Sequence, residues 1–381
     1  GYVLFVVAAL PNLLTARLGV GLSAFGLLTS APLGAFVLVQ PLSSWLGDRY
    51  PTTRILLWAT AIHVVLSVAL DVPDSFAVLL ALRFVWGLVA GLVLSVGATH
   101  IARLLRGGTG TLEQGVYGGM ITLGGAVAFL LGGPVVATTG GFGLHAVGIL
   151  PALVALAGCW RYRDDQRTSP RRDGVTGQDD DAAAPSVSET LATVTHPTVL
   201  LAGGVYVAII GSYITLSTFV TSFFDELGVI GQVNALVLVG ATVGRVAGGG
   251  LVWRGGVNDA QLIGWSALAA TVGFAVLASG PGPTLLVALP FAVMLALSVP
   301  FGAVYNVAAG ATDAEGTGLA TVVAAGNAAA LVLPPIAGAL RTATGDYAAT
   351  FLLLAGLNGG ALLAALGLAR GRPLAGISLD S

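Results

Sequence analysis

Leu46-Gly47-Asp48-Arg49-Tyr50-Pro51-Thr52-Thr53-Arg54 is the stretch that decides the fold. Before it, Ser23–Trp45 holds no ionisable residue; after it, Ile55–Leu70 holds only His63. Apolar runs this long and continuous read as membrane-spanning helices, not as the alternating ten-residue strands of a barrel. A charged loop this short forces two such helices into an antiparallel hairpin. It also places Asp48, Arg49 and Arg54 together at one membrane face.

The whole chain agrees. It is 56% hydrophobic and 9% charged, with a mean hydropathy of +0.91. Soluble domains carry about 25% charged residues, so this chain cannot cover a water-facing surface. The composition implies an all-α polytopic membrane protein embedded in the lipid bilayer. Its 55 glycines read as close helix packing within that bilayer. A single cysteine, Cys159, excludes an intrachain disulfide and argues against a metal cluster. The chain holds no phosphate-cradling glycine loop with Lys-Ser/Thr and no H-E-x-x-H. Neither an enzyme nor a cofactor is implied. The first apolar run starts at Gly1 without a charged flank or an A-x-A-type cleavage site. It reads as a first spanning helix lacking its start rather than a cleavable signal.

Twelve spans are expected, near 1–16, 23–46, 55–72, 76–98, 114–137, 142–160, 199–222, 232–253, 260–279, 284–309, 317–340 and 348–369. Only one connection is long. It is polar, with Asp164, Asp165, Asp179, Asp180 and Asp181 among five arginines, and cannot bury apolar surface. The chain therefore divides into a six-helix bundle over 1–160, a linker over 161–198 and a second six-helix bundle over 199–381. With the linker in the cytoplasm, twelve of the sixteen arginines fall on its side and only Arg17 and Arg341 on the other. This bias predicts a cell-membrane protein with both termini cytoplasmic. The acidic linker argues against nucleic acid as a partner. The halves also echo each other. Gly47-Asp48-Arg49 and Val252-Trp253-Arg254 end the second span of each half, and Gly133-Pro134 corresponds to Pro334-Pro335. Two such halves around a mid-membrane site are an arrangement common to secondary transporters.

These features together resemble the major facilitator superfamily over nearly the full chain. In that family the loop after the second span reads G-x-x-x-D-R-x-G-R-[RK]. Here Asp48 and Arg49 match, Ser44, Pro51 and Thr52 do not, and Arg54 comes one place late. The fourth-span pattern R-x-x-x-G-x-x-x-G is present as Arg83, Gly87 and Gly91, and the eleventh span ends in Leu333-Pro334-Pro335. The resemblance implies a gating set of Asp48, Arg49, Arg54, Gly87, Gly91, Pro134 and Pro334. Asp48 would latch one face shut against helix ends of the other half. A carboxylate gains about 0.3–1 kcal/mol there from the helix dipole, which suits a contact broken every cycle. The residues alone leave a plainer option, in which Arg49 and Arg54 only fix topology.

Two charges fall well inside spans, Arg83 and Arg245. A charge at mid-membrane costs a few kcal/mol and needs a partner or a wet cavity. No span holds a carboxylate to neutralise either, so a net positive cavity awaiting an anion is expected. Gln40 occupies the position in its half that Arg245 occupies in the other. Nitrate/nitrite porters, which carry an arginine in each half, are the anion-handling relatives this resembles. Gly326-Asn327-Ala328-Ala329 only partly matches their glycine-asparagine signature. In this fold the first, fourth, seventh and tenth spans surround the cavity. Tyr213, Tyr305, Asn306 and Asn327 therefore join Arg83, Arg245 and Gln40 as expected substrate contacts. His63 and His100 are further sites for a proton. The expected function is secondary transport by alternating access, with a small anion such as nitrate, nitrite or an organic acid as substrate. The protein would act as a monomer, with a proton or counter-anion as coupling ion. Efflux of neutral or lipophilic compounds, with both arginines structural, is the alternative; a non-transporting sensor is a more remote one.

Overall fold

The computed structural model describes residues 1–104, 110–140, 143–163, 187–229, 233–254, 257–312 and 315–370. Every regular element among them is helical. The central part of the expected linker, and the side chains of Asp48 and Trp253, lie outside the described set. The helices are α1 (Tyr2–Phe5), α2 (Pro11–Leu18), α3 (Leu22–Arg49), α4 (Thr52–Ala69), α5 (Phe76–Leu104), α6 (Gly110–Thr139) and α7 (Ile149–Arg161). After the short α8 (Val187–Val194) come α9 (Pro197–Glu226), α10 (Val233–Trp253), α11 (Asp259–Ala278), α12 (Pro283–Ser298), α13 (Phe301–Ala309), α14 (Glu315–Thr344) and α15 (Ala348–Arg370).

Ten of these runs are long and apolar enough to cross a membrane, counting α12 and α13 together. The expected first and sixth spans depart from unbroken helices of full length. The first is split into α1 and α2, because Pro11 opens a fresh helix at its first position. The bonds Ala8 N–H to Phe5, Ala9 to Val6 and Leu10 to Val7 tighten the intervening turn to 3-10 spacing. The sixth is a shorter apolar helix, Ala146–Arg161. The decisive hairpin forms as expected. Tyr50 lies extended at φ −126°, ψ 152°, the conformation that a following proline imposes. Pro51 then leads directly into α4.

In the first bundle α5 packs against α3 and α4, α4 against α7, and α1 against α6; in the second, α9 packs against α14 and α15, and α11 against α15. The bundles meet along two antiparallel helix pairs, α3 with α14 and α6 with α10. We call the side bearing the α3–α4 hairpin and the start of α9 the linker face, and the other the opposite face. Small residues set how closely the seam closes. A Cβ on Gly26 would lie 2.6 Å from the Pro334 carbonyl carbon, and one on Gly338 would strike the Leu22 carbonyl. One on Gly34 would lie 2.9 Å from a Leu331 methyl. Ser30 Oγ donates to the Leu331 carbonyl at 3.0 Å, Thr29 and Thr218 share a hydroxyl bond at 3.2 Å, and Asn12 Nδ2 donates to Asp225 at 2.9 Å. All of these contacts belong to the half of the seam nearer the opposite face. Towards the linker face, Gly318 and Gly326 of α14 face α13 and α9 of their own bundle instead.

Candidate functional site

The long, nearly all-buried α9 supplies the floor of the site. Tyr206 and Tyr213 lie two helical turns apart on one of its faces. On α13, Phe301 and Tyr305 are one turn apart, and the Tyr305 and Tyr206 hydroxyls bond at 2.7 Å. Into this aromatic group α10 projects Arg245. Its guanidinium carbon sits 4.2 Å from the Phe301 ring centroid and 5.1 Å from that of Tyr213, within cation–π range. Phe5 closes the far side, edge-on to Tyr213 at 5.9 Å.

Arg245 also crosses the seam. Its Nη1 donates to the Gly118 carbonyl on α6 at 2.8 Å. A Cβ on Gly118 would lie 3.1 Å from Phe301 and 3.3 Å from that nitrogen, so the bare backbone admits the guanidinium. The buried Nε of Arg245 and the buried hydroxyl of Tyr213 find no hydrogen-bond partner among the described residues. No described carboxylate pairs with Arg245 either. Arg245 is thus a cation bonded through one nitrogen, beside an idle donor of its own and an idle hydroxyl.

Arg83 is differently placed. It is completely buried, and its Nε donates to the Leu28 carbonyl at 2.7 Å. Its two Nη atoms donate to the carbonyls of Leu4 at 3.0 Å and Val3 at 3.3 Å. Each acceptor has a sequence-level cause. The Leu28 carbonyl would ordinarily accept from residue 32, which is Pro32 and has no N–H. The Val3 and Leu4 carbonyls lose their donors where the backbone tightens after Phe5. Arg83 thus satisfies three carbonyls that two helix irregularities leave free. The two glycines of the motif serve the same interface: Cβ atoms on Gly87 and Gly91 would lie 2.6 Å from Pro32 Cα and 3.0 Å from Phe36 Cα.

The structure therefore gathers Arg245, Tyr213 and Tyr305, and places Arg83 apart from them among backbone carbonyls. Gln40 stays within the first bundle, donating to the Phe36 carbonyl at 3.2 Å and accepting from Ser95 at 3.0 Å. Asn306 and Asn327 are half-buried on α13 and α14, and no hydrogen bond joins their side chains to the cluster. Of the expected gating residues, Pro334 lies in the seam against Gly26, while Pro134 is exposed on α6. Arg49 stacks on Trp45 at 4.3 Å, and Arg54 is exposed.

One pair escaped the sequence reading, which found no carboxylate inside a span. Asp71 is buried, with 1% of its side chain exposed, against 3% for His145. It accepts from His145 N at 2.9 Å, His145 Nδ1 at 2.7 Å and Ala146 N at 3.1 Å. A lone acid at a span end is a weak signal; the partner comes from 74 residues away. Burial pushes the His145 imidazole below its ordinary range; the hydrogen bond to Asp71 opposes this, and the nearby Arg83 and Arg17 reinforce it.

Comparison with known proteins fits this geometry. The chain superposes on a crystal structure of the human organic anion transporter MFSD10 (TETRAN) with a TM-score of 0.66 and 18% identity, covering 92% of this chain and 87% of that one. Identity this low speaks for the shared fold alone. No curated protein matches the sequence. The sequence model of the Major Facilitator Superfamily matches residues 2–318. With that match over most of its length and two helical bundles meeting along paired seams, the chain belongs to the Major Facilitator Superfamily of membrane transporters.

Proposed function

We propose that this protein is a secondary active transporter of a small organic or inorganic anion, working by alternating access, with Arg245 as the group that receives the anion. The observation that carries this is the half-used guanidinium: buried, unpaired with any described carboxylate, and bonded across the seam to Gly118. Tyr213 would offer its idle hydroxyl to the same anion, and Phe301 and Tyr305 would form apolar walls. Of the other expected contacts, Asn306 and Asn327 would add polar groups from α13 and α14. Gln40 and Arg83 support the first bundle.

An anion drawing on Arg245 competes with the Gly118 carbonyl. Binding therefore acts on a contact between the halves, which is how a ligand can bias their packing. The seam is closed near the opposite face by Gly26, Gly338 and the Asn12–Asp225 bond. By the arginine bias the linker face would be cytoplasmic, with both termini there, and the membrane would be the cell membrane.

Thermal unfolding of the purified protein with nitrate, acetate and benzoate, beside Arg245→Gln, tests the proposal. Stabilisation of the wild type by one anion, absent from the variant, is expected. Stabilisation by neutral lipophilic compounds alone would favour the efflux reading, for which the aromatic walls would be the binding surface.

A further inference from the structure

The arginines at the two membrane faces are satisfied in different ways. At the opposite face Arg17 pairs with Asp74, and Arg341 with Glu226 at 2.8 Å, so each has its own counter-charge. At the linker face of the first bundle the partners are rings instead. Arg49, in the last turn of α3, has its guanidinium carbon 4.3 Å from the ring centroid of Trp45, one turn earlier. At the end of α7, Arg163 lies 4.4 Å from the Trp160 ring and Arg161 5.6 Å from that of Tyr162. No described carboxylate pairs with Arg49 or Arg161.

These groups form one patch. α4 packs against α7, and Thr53 Oγ1 at the start of α4 donates to the Arg163 carbonyl at 3.3 Å. That bond brings the end of α7 to the α3–α4 hairpin. Beneath them Leu46, Ile55, Leu56, Val96 and Cys159 make a small apolar core, which holds the ends of α3, α4, α5 and α7 as a unit. Above it Trp45, Arg49, Trp160 and Arg161 are exposed. Arg54 and Trp58 add a further cation and ring, one turn apart on the exposed face of α4. Stacking occupies the flat face of a guanidinium and leaves the N–H donors around its edge for other acceptors. That edge matches two phosphate oxygens at once, and tryptophan and tyrosine favour the depth of lipid headgroups.

We infer that this patch binds the headgroup of an anionic phospholipid in the linker-face leaflet, with Arg49 and Arg161 as its principal phosphate contacts. The rings hold both guanidinium groups in place before the lipid arrives, so little side-chain freedom is lost on binding. Basic groups at a membrane surface attract anionic lipids in general, but a diffuse attraction would fall on every linker-face arginine alike. Arg254 and Arg370 of the second bundle are also exposed at that face, and neither stacks on a described ring. The site is separate from the one at Arg245 and does not depend on what is transported.

Native mass spectrometry of the detergent-purified protein, incubated with equal amounts of phosphatidylglycerol and phosphatidylcholine, tests it. Phosphatidylglycerol is expected to stay bound in preference, and Arg49→Gln/Arg161→Gln to weaken its binding about thirtyfold, the loss of two surface arginine contacts. Arg254→Gln/Arg370→Gln removes the same charge from the second bundle and is expected to leave that binding unchanged. Equal loss in the two double variants would mean diffuse attraction and would overturn the site. So would full displacement of the lipid by glycerol phosphate at equal concentration, which would make the ligand a free phosphate. A second measurement uses the unsubstituted protein in vesicles. Phosphatidylglycerol with a photoreactive diazirine in its headgroup is expected to label residues 45–58 and 160–163. Adducts confined to other segments, or none at all, overturn the proposal even where Arg49→Gln/Arg161→Gln fails to fold.

Discussion

Replacing Arg83 with methionine keeps an unbranched, flexible side chain and removes its donors. Three buried carbonyls, those of Leu28, Leu4 and Val3, then lose their partners. At about 1–3 kcal/mol for each unsatisfied group, the loss centres near 6 kcal/mol. Removing a cation from mid-membrane offsets about 2.5–3.5 kcal/mol of this. A net destabilisation of about 3 kcal/mol remains. The cause can be isolated at Pro32. Alanine at that position restores the N–H that the Leu28 carbonyl lacks, and it fits the space against Gly87. Pro32→Ala is therefore expected to recover about 1–2 kcal/mol in the Arg83→Met background and much less beside intact Arg83. Equilibrium unfolding by dodecyl sulfate in mixed micelles reads all four corners of the cycle. Strict additivity, or an Arg83→Met variant as stable as the wild type, would refute the assignment of Arg83 to carbonyl satisfaction. The refolded double variant should also still bind the anion; loss of binding there would return Arg83 to the substrate site.

Other outcomes follow from the same contacts. Gly26→Ala places a methyl group where the Pro334 backbone lies 2.6 Å away, so the seam should part near the opposite face, and a cysteine at Thr218 should become more reactive to an impermeant maleimide in a Cys159→Ser background. The His145 imidazole is held below its ordinary range in the folded state, so the unfolded chain binds more protons there. The neutral histidine thus contributes stability at pH 7.5 that is lost as pH falls below about 6.5 towards its folded value; unfolding between pH 8 and pH 5 should show this slope in the wild type and a shallower one in His145→Gln. Tyr305→Phe removes one partner of the 2.7 Å hydroxyl bond to Tyr206 and should cost about 1 kcal/mol, read by the same micellar unfolding.

Much of the architecture was legible because membrane spans announce themselves by length and lack of charge. Pro51 marked the end of α3 through the constraint it places on Tyr50, and the hairpin is where the sequence put it. The first span was harder to read: its run is apolar throughout, and only Pro11 hinted that α1 and α2 would separate. Residue type also sufficed to pick out Arg83 and Arg245, since a buried arginine always requires an explanation. It could not say which explanation applied. Arg83 answers to Pro32 and to the break after Phe5, carbonyls that no pattern of side chains reveals, whereas Arg245 keeps an unused nitrogen beside Tyr213. The Asp71–His145 pair was invisible for a different reason. Its two members sit in separate loops, and each alone looks like a solvated end of a span.

The central claim is that Arg245 receives the substrate. Its most direct test is uptake into sealed vesicles containing the purified protein, with radiolabelled nitrate, acetate and benzoate, for the wild type and for Arg245→Gln. Saturable uptake of one anion by the wild type, lost in Arg245→Gln but retained in the Arg83→Met/Pro32→Ala variant, is the expected result. Equal uptake by the wild type and Arg245→Gln would contradict the account and leave Arg245 as a seam contact only.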